Sequence, residues 1–325
     1  MQDIPLGKYR AEIGLELRQA LFVNSVLNNC ETWHSIKDTD ILKLNIIDHQ
    51  LLRFICNSHA KTPVKFLFLE TGATPLSFII TNRRLNYLHT ILSRNDQELV
   101  KRVYKAQKEN PSPGDFVKLL KKDFETVGFD IEEDSISGIN REAFKKHTKT
   151  IVKEAALRHL KSIQETHSKV WGVNYETLTT QPYLKSPLFT NSECNALFAI
   201  RSHTLRGFKG NTPSIHKDNM SCPLKCEINS EDVQEHILKC QVILNMLEDT
   251  ELEAAKHVEY NYIYGDTHQQ KAAVTLILRL LHLRNNLLEQ PSTSTPASGA
   301  SLVAAPTPGG NRGLPLYSVI CEIYY

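Results

Sequence analysis

The chain has 325 residues, is 41% hydrophobic and 23% charged, and carries a formal net charge of +2. That length suits about two domains with an apolar core, and the near-neutral total excludes any argument from global charge. No apolar run is long enough for a membrane span and the start has no apolar leader core, so neither is expected.

Charge is unevenly placed. Residues 141–220 hold thirteen Lys/Arg against six Asp/Glu, whereas residues 227–290 hold five against eleven. Such asymmetry points to one region that faces a polyanion and another that does not.

In chain order, residues 9–29 place Ile13, Leu17, Ala20, Leu21 and Leu27 on one helical face,. Residues 39–56 are apolar around most of a helix, which predicts a buried one. Thr62-Pro63 and Thr74-Pro75 each set a capping hydroxyl before a proline at the first helical position, and Gly72 ends the first of these helices. Asp96 is the expected cap of a helix to Asn110. PSPG at 111–114 is a break, and a helix from Asp115 ends at Gly128. Residues 129–139, with Glu132, Glu133 and Asp134, read as an acidic loop.

Asn140 caps a long helix reaching about His167. Arg141, Lys145, Lys149 and Lys153 form one stripe, and Val152, Ala156, Leu160 and Ile163 take nearly the same angular position further on,. The same face is therefore basic in its first half and apolar in its second. Thr190 opens a helix to about Leu205. Residues 250–290 form two more, the last with Ala273, Ile277, Leu280, Leu281 and Leu288 on one face. No sustained period-two run appears. From Pro291 the chain is Pro/Ser/Thr/Gly-rich, and disorder is expected. The fold class expected is all-α: two helical lobes, a small CCHC zinc-stabilised module and a disordered C-terminal tail.

The motif that carries chemistry is Cys222-x3-Cys226-x9-His236-x3-Cys240, which contains three of the seven cysteines. Without a secretory context this pattern reads as metal binding and not as a disulfide framework. The first pair lies on a Pro-containing turn. The second is spaced i, i+4 on a predicted helix capped by Ser230, with Glu231 and Asp232 complementing its dipole. Three thiolates and one imidazole complete a tetrahedron, so the expected cofactor is a structural zinc ion (Zn) with no open position. The competing reading is small buried residues.

Catalytic motifs are lacking: no Gly-rich phosphate loop, no G-x-S-x-G, no H-E-x-x-H, no Asp-Asp pair and no Pro-Asp dipeptide,. His147, His159 and His167 lack helical metal-pair spacing, and Trp33 and His34 read as a helix-end anchor. The expected nucleic-acid contacts are Arg141, Lys145, Lys149, Arg201, Arg206 and Lys209, with Tyr175, Tyr183 and Phe208 interspersed as stacking rings,. The bland alternative is a solvated charged face.

Several stretches resemble a known family: LRQALFVNSVLNNCETWHSI (17–36), DHQLLRFI (48–55), TPVKFLFLETGATPLSFIITNRRLNYLHTIL (62–92), NPSPGDFVKLLKKDFE (110–125), KSPLFTNSECNALFAIRS (185–202) and the cysteine/histidine motif. Together they resemble the region after the palm in reverse transcriptase open reading frames of non-LTR retrotransposons. The resemblance covers roughly residues 8–290. It implies a thumb-like helical domain (1–110), a helical linker (111–189) and a basic helix with the zinc module (190–247); periodicity and composition add a helical hairpin (248–290) and a disordered tail (291–325). It also implies RNA or DNA as partner and an intracellular location, nuclear before cytoplasmic. No catalysis is implied, because the palm and its aspartates are absent. The loop 205–219 and the stretch after Pro291 depart from the family pattern. The alternatives are a protein–protein interaction module with a purely structural zinc, and a decayed remnant without activity.

Overall fold

The computed structural model describes residues 10–33, 37–60, 62–129, 133–164, 175–205, 222–226 and 234–289. Among them every regular element is helical and no strand occurs. The α-helices are α1 (Arg10–Leu17), α2 (Asn24–Val26), α3 (Asp38–Ile55), α4 (Val64–Thr71), α5 (Leu76–Leu92), α6 (Leu99–Glu109), α7 (Phe116–Val127), α8 (Glu133–Gly138), α9 (Arg141–Gln164), α10 (Asn191–Arg201), α11 (Gln241–Leu244), α12 (Asp249–Lys256) and α13 (Thr267–Glu289). The chain groups into two compact units: Met1–Thr204 with Lys256–Leu278, and Leu205–Ala255 with Arg279–Tyr325. The boundaries expected at 110 and 189 both fall inside the first unit, because α5 packs on elements from either side of residue 110. The low-complexity tail from Pro291 lies outside the described residues.

In the first unit α5 is the central helix, touching α3, α6, α7, α8, α9 and the 3-10 turn Cys30–Thr32. It runs antiparallel to α9. His89 Nε2 lies 2.8 Å from the Ile139 carbonyl, Thr148 Oγ1 donates to Asn86 Oδ1 at 3.4 Å, and the Phe78 and His159 rings are 5.7 Å apart. The switch of face along α9 is present as the sequence predicts: Val152, Ala156 and Leu160 are buried while Arg141 and Lys149 are exposed. Asn140 caps α9 by accepting the Glu142 and Ala143 amides, and Thr190 with Glu193 forms a reciprocal capping box on α10,.

Other local expectations are corrected. Ile13, Leu17, Ala20 and Leu21 are exposed, and Ala11 and Gly14 of α1, with Arg18 just after it, are buried instead. Arg18 pairs with the fully buried Asp48 at 2.6 and 2.7 Å, which turns the opposite face inward. A π-helical stretch, Arg18–Val23, then shifts the helical phase so that Val23 and Leu27 are buried,. A Cβ at Gly14 would lie 2.9 Å from Ile55, so α1 and α3 approach closely there. On α3, Leu42, Ile46 and Ile47 are exposed, so that helix is buried on one side only. Pro63 and Pro75 are themselves the residues before α4 and α5, and their carbonyls take the first helical amides with no threonine cap. Asp96 does not cap α6. It pairs with Lys101 and Lys105, at 3.0 and 3.1 Å, and Glu98 precedes the helix. Within 129–139, α8 forms where a loop is expected, because Ile136 is buried. On α13, Leu288 is exposed where the predicted face is apolar.

The first unit is tied by an ion pair without solvent contact. Glu70, in the last turn of α4, and Arg201, the last residue of α10, are 0% and 1% exposed, with Arg201 Nη2 at 2.7 Å from Glu70 Oε1. Tyr175 and Tyr183 donate to the two carboxylate oxygens, the latter at 2.5 Å, and Arg201 Nη1 donates to the Ile263 carbonyl at 2.7 Å. Burial opposes the guanidinium charge, but the Glu70 carboxylate holds the Arg201 pKa above its ordinary value. Burial, reinforced by the Glu70 charge, keeps both tyrosines neutral. Gly72, at φ +64°, follows directly. A Cβ there would meet the Thr179–Thr180 peptide at 2.3 Å.

Two predictions follow from this packing, both read by urea unfolding. Glu70→Gln leaves a buried guanidinium without its counter-charge and should destabilise by about 3–5 kcal/mol. Gly72→Ala adds a clash to a left-handed backbone and should destabilise by more than the roughly 1 kcal/mol typical of a point change.

Candidate metal centre and cationic groove

In the second unit the four predicted ligands come together. Cys222 and Cys226 bracket a turn in which the Lys225 amide donates to the Cys222 carbonyl at 3.0 Å, with Lys225 in the left-handed region at φ 51°. His236 sits in a 3-10 helix, Gln234–Leu238, and Cys240 precedes α11, its carbonyl accepting from Ile243 and Leu244. The spacing predicts His236 and Cys240 on one α-helix; a short 3-10 helix followed by a turn brings them together instead. The expected caps Ser230, Glu231 and Asp232 lie outside the described residues.

One ligand atom from each of the four residues lies within 4.8 Å of the others. Cys222 Sγ and Cys240 Sγ are 3.8 Å apart, and Cys226 Sγ is 3.3 Å from His236 Nε2. Tetrahedral bonds of about 2.3 Å to sulfur place two thiolates about 3.8 Å apart, so the sulfur pair fits one shared cation. A disulfide needs about 2.05 Å and is not formed,. Cys222, His236 and Cys240 are buried and Cys226 half-buried, so a bound ion is shielded from solvent. Burial pushes the Cys222 thiol up to about 11, the Leu224 amide opposing and Cys240 adding to the rise. These four residues could hold a metal ion.

The second feature lies in the first unit. Arg141, Lys145 and Lys149, at i, i+4 and i+8 on α9, line a cavity of about 570 Å³. Facing them on α5 are Asn82, Asn86 and Thr90, again at steps of four, with Arg83 and Tyr87 beside them. Lys149 and Asn82 also line a neighbouring cavity of about 490 Å³ that Lys153 reaches. Burial lowers the Lys153 pKa, and Lys149 and Lys185 lower it further, so positive charge is concentrated here.

Of the six expected nucleic-acid contacts, the groove brings together three: Arg141, Lys145 and Lys149. Arg201 is excluded, since its guanidinium is consumed in the buried pair with Glu70 and no phosphate can reach it. Tyr175 and Tyr183 are likewise buried in that pair's shell and unavailable for stacking. Arg206, Lys209 and Phe208 lie outside the described residues. The sequence reading missed Asn82, Arg83 and Asn86. The signal was present as NRRLN (82–86), a polar row within an apolar helix.

If the four ligands share one ion, the native protein should carry one equivalent of metal by elemental analysis. Cys226→Ser should carry none and lose ordered structure in the second unit, because the metal then contributes directly to folding.

Compared with known proteins, the chain matches no family model, no curated protein and no solved structure.

Proposed function

We propose that the chain is a non-catalytic nucleic-acid-binding protein, corresponding to the C-terminal portion of a retrotransposon reverse transcriptase, that holds element RNA or target DNA. The observation that carries this reading is the row Arg141–Lys145–Lys149 along one wall of a cavity large enough for a ligand,. Lys and Arg neutralise phosphates largely without reading sequence. The centre formed by Cys222, Cys226, His236 and Cys240 would hold zinc. Three thiolates and one imidazole fill a tetrahedron and leave no position for substrate, so the ion's contribution is structural. The resemblance to retrotransposon reverse transcriptases supports the same role, and the nucleus is the compartment it favours.

A second reading, a helical protein-interaction module, is favoured by one observation. Leu42, Ile46 and Ile47, within one turn and a half of α3, are all exposed, and adjoining apolar residues on a surface mark a site for a partner.

Fluorescence anisotropy against salt separates the two. Under the nucleic-acid reading, affinity falls with salt, and Lys145→Gln/Lys149→Gln lowers the slope by about 1.4 for single strands, roughly 0.7 per phosphate contact. Absence of any salt slope would sink it. Primer-extension and nicking assays on the isolated chain should be blank.

A further inference from the structure

Resting on the nucleic-acid reading, the geometry points to a narrower ligand: we infer that the α5/α9 groove takes a single-stranded polynucleotide, seating an unpaired base among amide side chains while its phosphates lie on the α9 cations.

The groove has three sides of different chemistry. One wall is the cationic row of α9. The floor is the α5 row Asn82, Asn86 and Thr90, all half-buried. The opposite wall carries Asn28 and Asn29, both exposed, with Glu31. α5 and α9 run antiparallel, so the cations of α9 and the polar row of α5 line the same cavity.

Arg141 and Lys149 are exposed, whereas Lys145, Asn82 and Asn86 are half-buried. Amide groups offer a donor and an acceptor side by side, the pattern that matches a base edge. Asn86 Nδ2 already donates to the Asn82 carbonyl at 2.7 Å and its Oδ1 accepts from Thr148 at 3.4 Å, so the amides open to a base edge are those of the exposed Asn28 and Asn29; in a duplex the pairing edges they would meet are already occupied. Tyr87, held edge-on against Phe116 with centroids 5.6 Å apart, adds an aromatic ring to the same cavity; rings of this kind stack on unpaired bases. Both signs occur on both sides, Glu31 with Arg83 near Asn28 and Glu142 paired with Lys145 at 2.8 Å on α9; the three cations of α9 outnumber the one beside Asn28 and Asn29, which leaves the α9 side for the backbone and the Asn28/Asn29 side for the base.

The test uses the full chain at fixed salt, with fluorescein-labelled homopolymers of RNA and DNA and a duplex of equal charge. Single strands should bind about tenfold tighter than the duplex. Asn28→Ala/Asn29→Gly should erase the preference among homopolymers while leaving the salt slope unchanged. Glycine tolerates the left-handed φ of 54° at residue 29,, so folding is preserved, and circular dichroism checks it. Equal or tighter duplex binding with a normal salt slope overturns the single-strand assignment and leaves the nucleic-acid reading standing. An unchanged homopolymer preference in the variant overturns the base pocket. No salt-dependent binding of any probe overturns both.

Discussion

The first unit depends on one buried charge pair. Glu70 and Arg201 come from helices far apart in sequence and have almost no contact with solvent. Such a pair is stable only when every remaining polar atom is satisfied. Here two tyrosines fill the carboxylate, and the Ile263 carbonyl and the Tyr183 and Tyr264 rings surround the guanidinium. The backbone joins the same junction: the Gln181 amide donates to the Glu70 carbonyl and Thr180 Oγ1 to the Thr71 carbonyl. The close passage of residues 179–180 over Gly72 follows from this, and leaves no room for a side chain there.

With that junction fixed, α4 leads through Gly72 into α5, whose position sets the groove. α5 presents three kinds of surface at once. Leu85 and Leu88 are buried. Thr81 and Arg84 meet Asp123 of α7, at 2.7 Å each. Asn82, Asn86 and Thr90 look into the groove beside α9. A helix used on nearly every side has little freedom to rotate, so the polar row stays in register with the α9 cations.

The second unit is arranged around a different feature. Among its described residues Ile237, Ile243 and Leu247 are buried, and Cys222, Cys226, His236 and Cys240 converge where they could hold a metal ion. The left-handed Lys225 lets the two thiols of the first turn converge, and the 3-10 helix delivers His236 beside Cys226.

The sequence by itself determined the helical class, the stops at Gly72 and Gly128, the caps at Asn140 and Thr190, the change of face along α9 and the four residues that come together and could hold a metal ion. These are local properties: periodicity, capping chemistry and ligand type act within a few residues. Only the tertiary structure decided which charges face solvent. Arg201 and Lys149 look alike in a list of basic residues, yet one is neutralised by a carboxylate 131 positions away and the other lines a cavity. The exposed face of α1 was unreadable for the same reason, since Arg18 chooses the buried side through Asp48, thirty positions on. The polar row of α5 is legible as NRRLN (82–86), but that it lines a cavity together with cations is decided only when α9 packs alongside it.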